Sequence, residues 1–452
     1  MINMLSLIPE KLKILAKNCP FPLYVVGGTC RNFLAGLESK ETDFDICAPA
    51  SAEEFCNIAK ACGFIISSVY KNTGTVKAVA DGEEYEYTSF RSDEYVRGVH
   101  TPVKTYFTLD IKKDALRRDF TFNAIYYDIK AQEFCDPLGG IKDVKNKTVN
   151  TVREPEKVFG EDGLRLMRLA RQAAAMGFSP SKQCLSGALK NCRLINDISV
   201  ERIWAELDAI LHADLKYGIK YAQYKGLKIL KETGVLAQIL PELTLGDKME
   251  QRPDFHNHDV LEHSLRCVKY AEPEIRLAAL LHDVGKPYCK VNTGKFYLHE
   301  KEGVQIADKI CKRLKVSNYQ TELCKKLISL HMYDLDMNTS ENKLRRFIVK
   351  NYSIIPKLLK IKQADYSACK DDLSACECVK KWTKIIDKMK NEGVPFTLKQ
   401  LKINGTDLLE LGVEPKKIGL ILNELLRECA TQPSLNDKSK LLKRADKLKE
   451  EV

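Results

Sequence analysis

Two aspartates that share one face of a predicted strand are the clearest chemical feature of the sequence. Asp43 and Asp45 stand two positions apart where polar and apolar side chains alternate, and residues i and i+2 of a strand project to the same face. They follow Gly27-Gly28, which ends the apolar run of residues 23–26 and predicts a strand, a turn and a helix. Carboxylate oxygens suit Mg²⁺ carrying a triphosphate, and a helix that begins at glycine lets backbone amides approach a phosphate. Taken alone, the aspartate pair also fits solvated side chains, and the glycine pair also fits an ordinary turn. Only their combination predicts a magnesium-dependent nucleotide site.

Three further motifs follow in order along the chain. They are RRDFTFNA at 117–124, DPLGG at 136–140 and EDGLRLMRLAR at 161–171. Together with Gly27-Gly28-x-x-Arg31 and Asp43-Phe44-Asp45, this series closely resembles the class II tRNA nucleotidyltransferases and bacterial poly(A) polymerases over about residues 20–245.

The resemblance implies an enzyme that adds CMP and AMP, from CTP and ATP, to the 3′ end of tRNA without a nucleic-acid template. It implies that Asp43 and Asp45 are catalytic and bind Mg²⁺, with one metal ion lowering the pKa of the attacking hydroxyl and another neutralising the leaving pyrophosphate. It also implies that Gly28, Arg31 and Arg118 bind the nucleotide. Poly(A) addition, or addition of only part of the CCA end, is the alternative within this class.

Some positions depart from the family pattern. Asn32 stands where the family usually has aspartate, and Phe122 where it usually has isoleucine or methionine. In the segment 89–107, which resembles a flexible loop of the family, His100-Thr101-Pro102 replaces the usual Arg-Arg-Pro. Glu86 is a candidate third carboxylate on a neighbouring strand.

The EDGLR segment has the chemistry of a base selector. The spacing predicts a helix over 161–176, on which Asp162 and Arg165 are neighbours. An aspartate accepts a hydrogen bond from the exocyclic amine of cytosine or adenine, and an arginine donates to the acceptor edge beside it. Uracil and guanine would leave these buried groups unpaired, so the pair would reject them. The alternative is that Asp162 and Arg165 form only a surface ion pair, worth under ~1 kcal/mol. Arg168 and Arg171 continue the nucleotide-binding series, and we expect Arg171 roughly opposite Asp162, contacting phosphate.

A second constellation consists of histidines and aspartates. Residues 280–286, LLHDVGK, resemble the central motif of the HD phosphohydrolases. Adjacent histidine and aspartate side chains can both reach one divalent ion. The predicted metal ligands are His263, His282, Asp283 and Asp365, with His299 and His331 where two-metal relatives carry extra ligands. A single buried histidine is usually a core residue, but six residues in this order favour a metal site of unknown metal and substrate. His256 and His258 lie nearby without fitting that pattern, and the domain could persist as a scaffold.

Length and composition limit the number of domains, the kind of partner and the cellular compartment. The 452 residues exceed one ordinary domain. The net charge of +11 fits a polyanion such as RNA, or only a solvated surface. No apolar run reaches the ~18 residues of a membrane helix, and the first residues lack the features of a signal peptide. The sixteen cysteines include no C-x-x-C pair, which favours reduced thiols in the cytoplasm.

These patterns predict the fold class and four parts. We expect an α/β polymerase-β-like nucleotidyltransferase head at 1–150 and an all-α neck at 151–250 that selects nucleotides and binds RNA. An HD metal-dependent phosphohydrolase-like domain at 251–370 and a helical tail at 371–452 complete the chain. A phosphohydrolase acting on nucleotides or RNA ends, and a non-catalytic RNA-binding protein, are functional alternatives. The intact Asp43 and Asp45 argue against the latter, and the oligomeric state stays open.

Overall fold

The computed structural model describes residues 3–37, 44–96 and 99–451. Asp43 lies outside these residues, so its predicted place beside Asp45 is not described. The chain separates into two compact units, one of residues 1–244 with 312–316 and one of residues 245–311 with 317–452. The four-part division stays a prediction.

A mixed sheet of seven strands, in the order β3-β4-β5-β2-β1-β8-β9, forms the frame of the first unit. β6 pairs with β7, and β10 with β11, outside it. The strands are β1 (Tyr24–Val26), β2 (Phe44–Ala48), β3 (Ile65–Tyr70), β4 (Thr75–Ala80), β5 (Glu83–Ser89), β6 (Arg91–Glu94), β7 (Lys104–Phe107), β8 (Tyr126–Asp128), β9 (Glu133–Cys135), β10 (Thr148–Val149) and β11 (Ser179–Pro180).

β1 lies between β2, which carries Asp45, and β8. It pairs antiparallel with β2 and with β8, and β2 pairs parallel with β5. Val26, Cys47, Phe90 and Tyr126 are buried together beneath this part of the sheet. The predicted strand, turn and helix at the glycine pair are confirmed, since β1 ends at Val26 and the next helix begins at Gly28.

Helices make up the rest of the first unit. They are α1 (Met4–Leu7), α2 (Glu10–Asn18), α3 (Gly28–Ala35), α4 (Ala52–Ala61), α5 (Ile111–Leu116), α6 (Gly140–Lys145), α7 (Pro155–Glu161), α8 (Leu164–Met176), α9 (Lys182–Asn191), α10 (Val200–Leu211), α11 (Ala213–Tyr217), α12 (Ala222–Glu232), α13 (Val235–Ile239) and α14 (Pro241–Thr244).

The single helix predicted over 161–176 is wrong at its start. α7 ends at Glu161, Asp162 is extended with φ −146° and ψ 109°, and α8 begins only at Leu164. Glycine is required next to this break, because a Cβ on Gly163 would lie 2.5 Å from the carbonyl oxygen of Leu194. Asp162 therefore precedes α8 and caps it through a 3.0 Å hydrogen bond from the backbone N–H of Leu164.

The second unit is helical throughout its described residues. Its helices are α15 (Val260–Tyr270), α16 (Arg276–Leu281), α17 (Lys286–Thr293), α18 (His299–Arg313), α19 (Asn318–Leu330), α20 (Glu341–Lys350), α21 (Ile355–Lys370), α22 (Glu377–Asn391), α23 (Gly405–Glu410), α24 (Pro415–Thr431) and α25 (Lys438–Glu451). Among the described residues of both units, no helix has the length and apolar character needed to cross a membrane.

Candidate active site and metal centre

Asp45 lies on β2, and its carboxylate is close to the turn that joins β1 to α3. It is exposed while its strand neighbours Phe44 and Ile46 are buried, because a strand alternates its faces. A Cβ on Gly27 would lie 3.6 Å from Asp45 Oδ2, so the missing side chain keeps the carboxylate close to the start of α3. Glu86 is directly opposite Asp45 in the parallel β2–β5 pair, and it is exposed as well.

A cleft of about 700 Å³ opens beside Asp45. Nine basic and four acidic side chains of the described residues line it. The predicted residues that it brings together are Gly28, Arg31, Asp45, Arg118, Asp162, Arg165, Arg168 and Arg171. Such an excess of cationic groups in a concave surface is suited to a polyanionic ligand such as a triphosphate.

Arg31 is held inside this cleft by amide oxygens. Its Nη1 donates to Asn123 Oδ1 at 2.6 Å and to Gln172 Oε1 at 3.3 Å, while Nη2 donates to Asn32 Oδ1 at 2.9 Å. Tyr217 donates to the same Asn32 oxygen at 3.1 Å. Neutral acceptors orient the guanidinium without cancelling its charge, so Arg31 remains a cation directed at the cleft.

Arg117 and Arg118 share a buried carboxylate that sequence analysis missed. Arg117 Nε lies 2.8 Å from Asp114 Oδ1, and Arg118 Nη2 lies 3.0 Å from Asp114 Oδ2. The hydroxyl of Tyr126 donates to the same carboxylate at 2.7 Å. Burial raises the pKa of Asp114, but Arg118 and Arg117 outweigh burial and lower it to about 2. The available signal was the spacing of Asp114 in α5 to Arg117 and Arg118 just after its end, since residues i, i+3 and i+4 meet on one side of a helical turn.

The arginines of α8 are also engaged. Arg165 is buried and donates through Nη1 to Glu161 Oε2 at 2.9 Å and to the carbonyl of Val158 at 3.0 Å. Arg168 Nη2 lies 2.7 Å from Asp119 Oδ2. Burial raises the pKa of Asp119, but Arg168 outweighs it, so the pKa falls below its ordinary value. Asp119 thus pairs with Arg168, whereas Arg117 pairs with Asp114.

Asp162 reaches the cleft from the α7–α8 break. The sequence spacing predicted that Asp162 and Arg165 share a helical face. This prediction is wrong, because the backbone of Asp162 is extended. Its Oδ1 caps α8 and its Oδ2 lies 3.7 Å from Arg202 Nη2. Arg171 was expected opposite Asp162, but it lines the same cleft, with its Nε 2.6 Å from Glu206 Oε2.

His100 contacts the same break. The backbone N–H of Gly163, next to Asp162, donates to His100 Nδ1 at 3.1 Å. His100 Nε2 lies 3.6 Å from Asp197 Oδ2. The histidine that departs from the family pattern thus touches the segment that presents Asp162.

The histidine centre of the second unit gathers all six predicted ligands. Asp283 is central: its Oδ2 lies 3.2 Å from His282 Nε2 and 3.5 Å from His263 Nε2. Its other oxygen, Oδ1, lies 3.1 Å from His299 Nε2 and 3.8 Å from His331 Nε2. One carboxylate therefore faces two pairs of imidazoles, and each pair with Asp283 forms a group of metal-ligand spacing.

Asp365 completes the first of these groups. Its Oδ1 lies 3.0 Å from His263 Nε2 and 3.6 Å from His282 Nε2. The ammonium of Lys286 also reaches this centre, with its Nζ 2.6 Å from Asp283 Oδ2. The ammonium thus neutralises part of the buried carboxylate charge.

Backbone carbonyls orient three of the imidazoles. The Nδ1 contacts are Ala279 O for His282 at 2.8 Å, Phe296 O for His299 at 2.9 Å and Ile328 O for His331 at 2.7 Å. Each Nδ1–H donating outward leaves Nε2 as the lone-pair donor that points inward, as in metal-bound histidines. Burial and the neighbouring His282 lower the pKa of His331 to about 3, which keeps it neutral. Neutral imidazoles with carboxylates are a donor set that fits a divalent transition metal.

Known protein families match the segments that carry the two candidate sites. Residues 23–150 match the poly A polymerase head domain, residues 177–245 match the family described as a probable RNA and SrmB-binding site of polymerase A, and residues 260–368 match the HD domain. A CCA-adding enzyme of Ligilactobacillus salivarius (strain UCC118) is 28% identical over 460 residues, covering 98% of each chain. A multifunctional CCA protein of Acinetobacter baumannii (strain SDF) is 28% identical over 330 residues, 68% of this chain and 74% of that protein.

Solved structures share the fold. The Bacillus stearothermophilus CCA-adding enzyme in complex with CTP covers 100% of both chains with a TM-score of 0.68 and 22% identity. The Thermotoga maritima CCA-adding enzyme complexed with tRNA matches with a TM-score of 0.63 and 17% identity, over 98% of each chain. The poly A polymerase head, the RNA-binding segment behind it and the HD domain are thus matched one after another along the same chain, and the whole chain is similar in fold to CCA-adding enzymes.

Proposed function

We propose that the protein adds CMP and AMP, from CTP and ATP, to the 3′ end of tRNA. The observation that carries the proposal is the cleft in which Asp45, the arginine series and Asp162 meet. The names of the relatives support the same activity, since they are CCA-adding proteins, and the structurally similar enzymes were solved with CTP, ATP and tRNA.

Asp45, with Asp43, is proposed to hold Mg²⁺. An exposed carboxylate beside a glycine turn is a donor that fits this hard cation. When bound, Mg²⁺ would favour ionisation of the attacking hydroxyl and neutralise the triphosphate. Gly28 opens α3 and leaves room for phosphate near its backbone amides.

The arginines are proposed to position the triphosphate. Arg31 and Arg118 are fixed by neighbouring side chains before ligand arrives, so less side-chain entropy is lost on binding. Arg165, Arg168 and Arg171 extend this cationic surface along α8.

Asp162 is proposed to read the base. Its carboxylate would accept the exocyclic amine of cytosine or adenine, which uracil and guanine lack at the equivalent position. Since Arg165 is held by Glu161 and Val158, its proposed role is to maintain the α7–α8 break as well as to border the base.

The experiment is an addition assay with tRNA transcripts that end before CCA, after C and after CC, each with one labelled triphosphate. We expect two CMP and one AMP to be added in that order, with no product from UTP or GTP. Long A tracts would identify a poly(A) polymerase, and addition limited to CC or to A would identify a partial enzyme. Absence of any incorporation with Mg²⁺ present would refute the proposal.

For the second unit we propose a metal-dependent phosphohydrolase acting on nucleotides or RNA ends. The favouring observation is Asp283 placed between two pairs of inward-facing Nε2 atoms. When bound, a divalent ion would supply an activated water, and Lys286 would offer its charge to the phosphate. Elemental analysis and hydrolysis of a 2′,3′-cyclic nucleotide test this proposal; a protein without bound metal and without hydrolysis would leave the domain as a scaffold.

We further propose that the protein acts in the cytoplasm, where tRNA would be its substrate. All sixteen cysteines are free thiols in the structure, which suits a reducing compartment.

A further inference from the structure

A third group of metal-ligand spacing lies next to the histidine centre and is not used by either proposed activity. One ring nitrogen each of His256 and His263 and the Sγ of Cys369 lie within 4.8 Å of one another. The rings of His256 and His263 meet edge to face, with centroids 4.8 Å apart. This group differs from the other two in its chemistry, because it contains sulfur.

His263 has one nitrogen to spare for this group. Its Nε2 is engaged at 3.0 Å with Asp365 and at 3.2 Å with His282. Its Nδ1 is buried and, among the described residues, has no hydrogen-bond partner, and the same holds for Nδ1 of His256. A fully buried imidazole nitrogen without a partner is costly unless something binds it.

From this arrangement we propose that His256, His263 and Cys369 form a Zn²⁺ site, separate from the metal groups of the hydrolytic centre but sharing His263 with them. Thiolate together with imidazole selects Zn²⁺ over Mg²⁺. Ligands bound at about 2.0–2.3 Å in a tetrahedron lie roughly 3.3–3.8 Å apart, so closure requires shifts of about 1 Å. His256 and Cys369 are both partly exposed, which provides the entry path and leaves a fourth position for water.

Binding would take a proton from the thiol. Cys369 Sγ donates to the carbonyl oxygen of Asp365 at 3.3 Å, so the sulfur is protonated in the ion-free arrangement. A metal ion displaces that proton to solvent and binds the thiolate. Because His263 is shared, its imidazole must also release its ring proton to solvent when both groups hold an ion, so the occupancy of this site depends on that of the neighbouring group.

Titration of the full-length protein with Co²⁺, followed by displacement with Zn²⁺, tests the site. We expect a thiolate-to-cobalt charge-transfer band in the near ultraviolet, because the two groups around Asp283 contain no sulfur. Cys369→Ser should abolish that band, and Zn²⁺ should remove it from the wild type. Cys289→Ser is the matched control, since Cys289 is a partly buried thiol of the same unit outside the group, and it should keep the band.

The variant His256→Ala tests the site independently of the thiol. It should weaken Zn²⁺ binding at this site about tenfold or more while leaving the Co²⁺ d–d absorption of the other groups in place. A wild type without a charge-transfer band, or a band that persists in Cys369→Ser, would overturn the site. Failure of the hydrolytic proposal would look different, with the thiolate band present but no phosphate ester hydrolysed.

Discussion

The cleft of the first unit and the histidine centre of the second present opposite kinds of groups to a ligand. In the cleft, cations are fixed in advance by carboxylates and amides, as with Arg168 on Asp119 and Arg31 on Asn123. In the centre, lone pairs of imidazoles and carboxylates converge around Asp283. The first arrangement is built to receive an anion and the second to receive a cation.

The two regions also differ in how the charge of their side chains depends on pH. Arginines of the cleft keep their charge at any physiological pH, so the cleft is formed before a ligand arrives. Burial lowers the pKa of His282, but Asp283 outweighs burial and raises it well above the ordinary value. A metal ion binds only neutral imidazoles, so the affinity of the centre for an ion would depend on pH, unlike the charge of the cleft.

The largest effect should come from Asp45→Asn, which tests the first half of the comparison. Loss of the carboxylate charge should lower the rate of nucleotide addition at least about a hundredfold, because fixed charge at the reacting groups is removed. Gel-shift affinity for tRNA should stay within a few-fold. Glu133→Gln, an exposed carboxylate on edge strand β9, is the control with unchanged activity. Wild-type rates for Asp45→Asn with Mg²⁺ as the sole metal would exclude a catalytic role.

The double variant His282→Ala with Asp283→Ala tests whether the two regions act separately. It should lose bound metal and all phosphohydrolase activity, since Asp283 belongs to both metal groups. CCA addition should be retained, because the cleft lies wholly within the first unit. Elemental analysis and the addition assay, run on the same preparation, provide the readouts. Equal loss of addition with an intact circular dichroism spectrum would show that the activities are coupled.

Substitution of Asp162 should sharpen the account of base selection. Asp162→Ala should raise misincorporation of UTP or GTP relative to CTP and ATP by about tenfold or more, because the penalty for an unmatched base is removed. It also removes the cap of α8, a loss of about 1 kcal/mol in stability. Asp162→Asn retains a capping oxygen but lacks the charge, so it separates selection from capping. If all four triphosphates lose rate equally in both variants, Asp162 is only structural.

The smallest effect concerns the carboxylate that supports the cleft arginines. The pKa of Asp114 is about 2 in the folded protein against 3.8 ordinarily, so its stabilisation is complete above pH 4 and is lost as pH falls toward 2. Over that interval the free energy of unfolding of the wild type should fall by about 2 kcal/mol more than that of Asp114→Asn. Urea unfolding at several pH values measures this difference. Parallel pH profiles for the two proteins would show that Asp114 is not held in its charged form by Arg117 and Arg118.

Local patterns were sufficient for elements and motifs that depend on neighbouring residues. The turn at the glycine pair between β1 and α3 and the helices of the tail follow from turn chemistry and periodicity. The order of the histidines and aspartates likewise indicated a metal centre, and the structure brings all six together. These features were readable because side-chain spacing along a helix or strand determines which groups share a face.

Contacts between distant segments were decided only by the tertiary structure. The need for glycine at position 163, beside the break at Asp162, comes from the carbonyl of Leu194, which is remote in sequence and leaves no room for a side chain there. The partners of Arg31 come from positions 123 and 172, and His263 meets His256 and Cys369, which other segments bring in. The sequence alone determined which chemical groups are present and in what local order. Packing decided which of them meet, because hydrogen bonds and burial across the fold do not depend on distance along the chain.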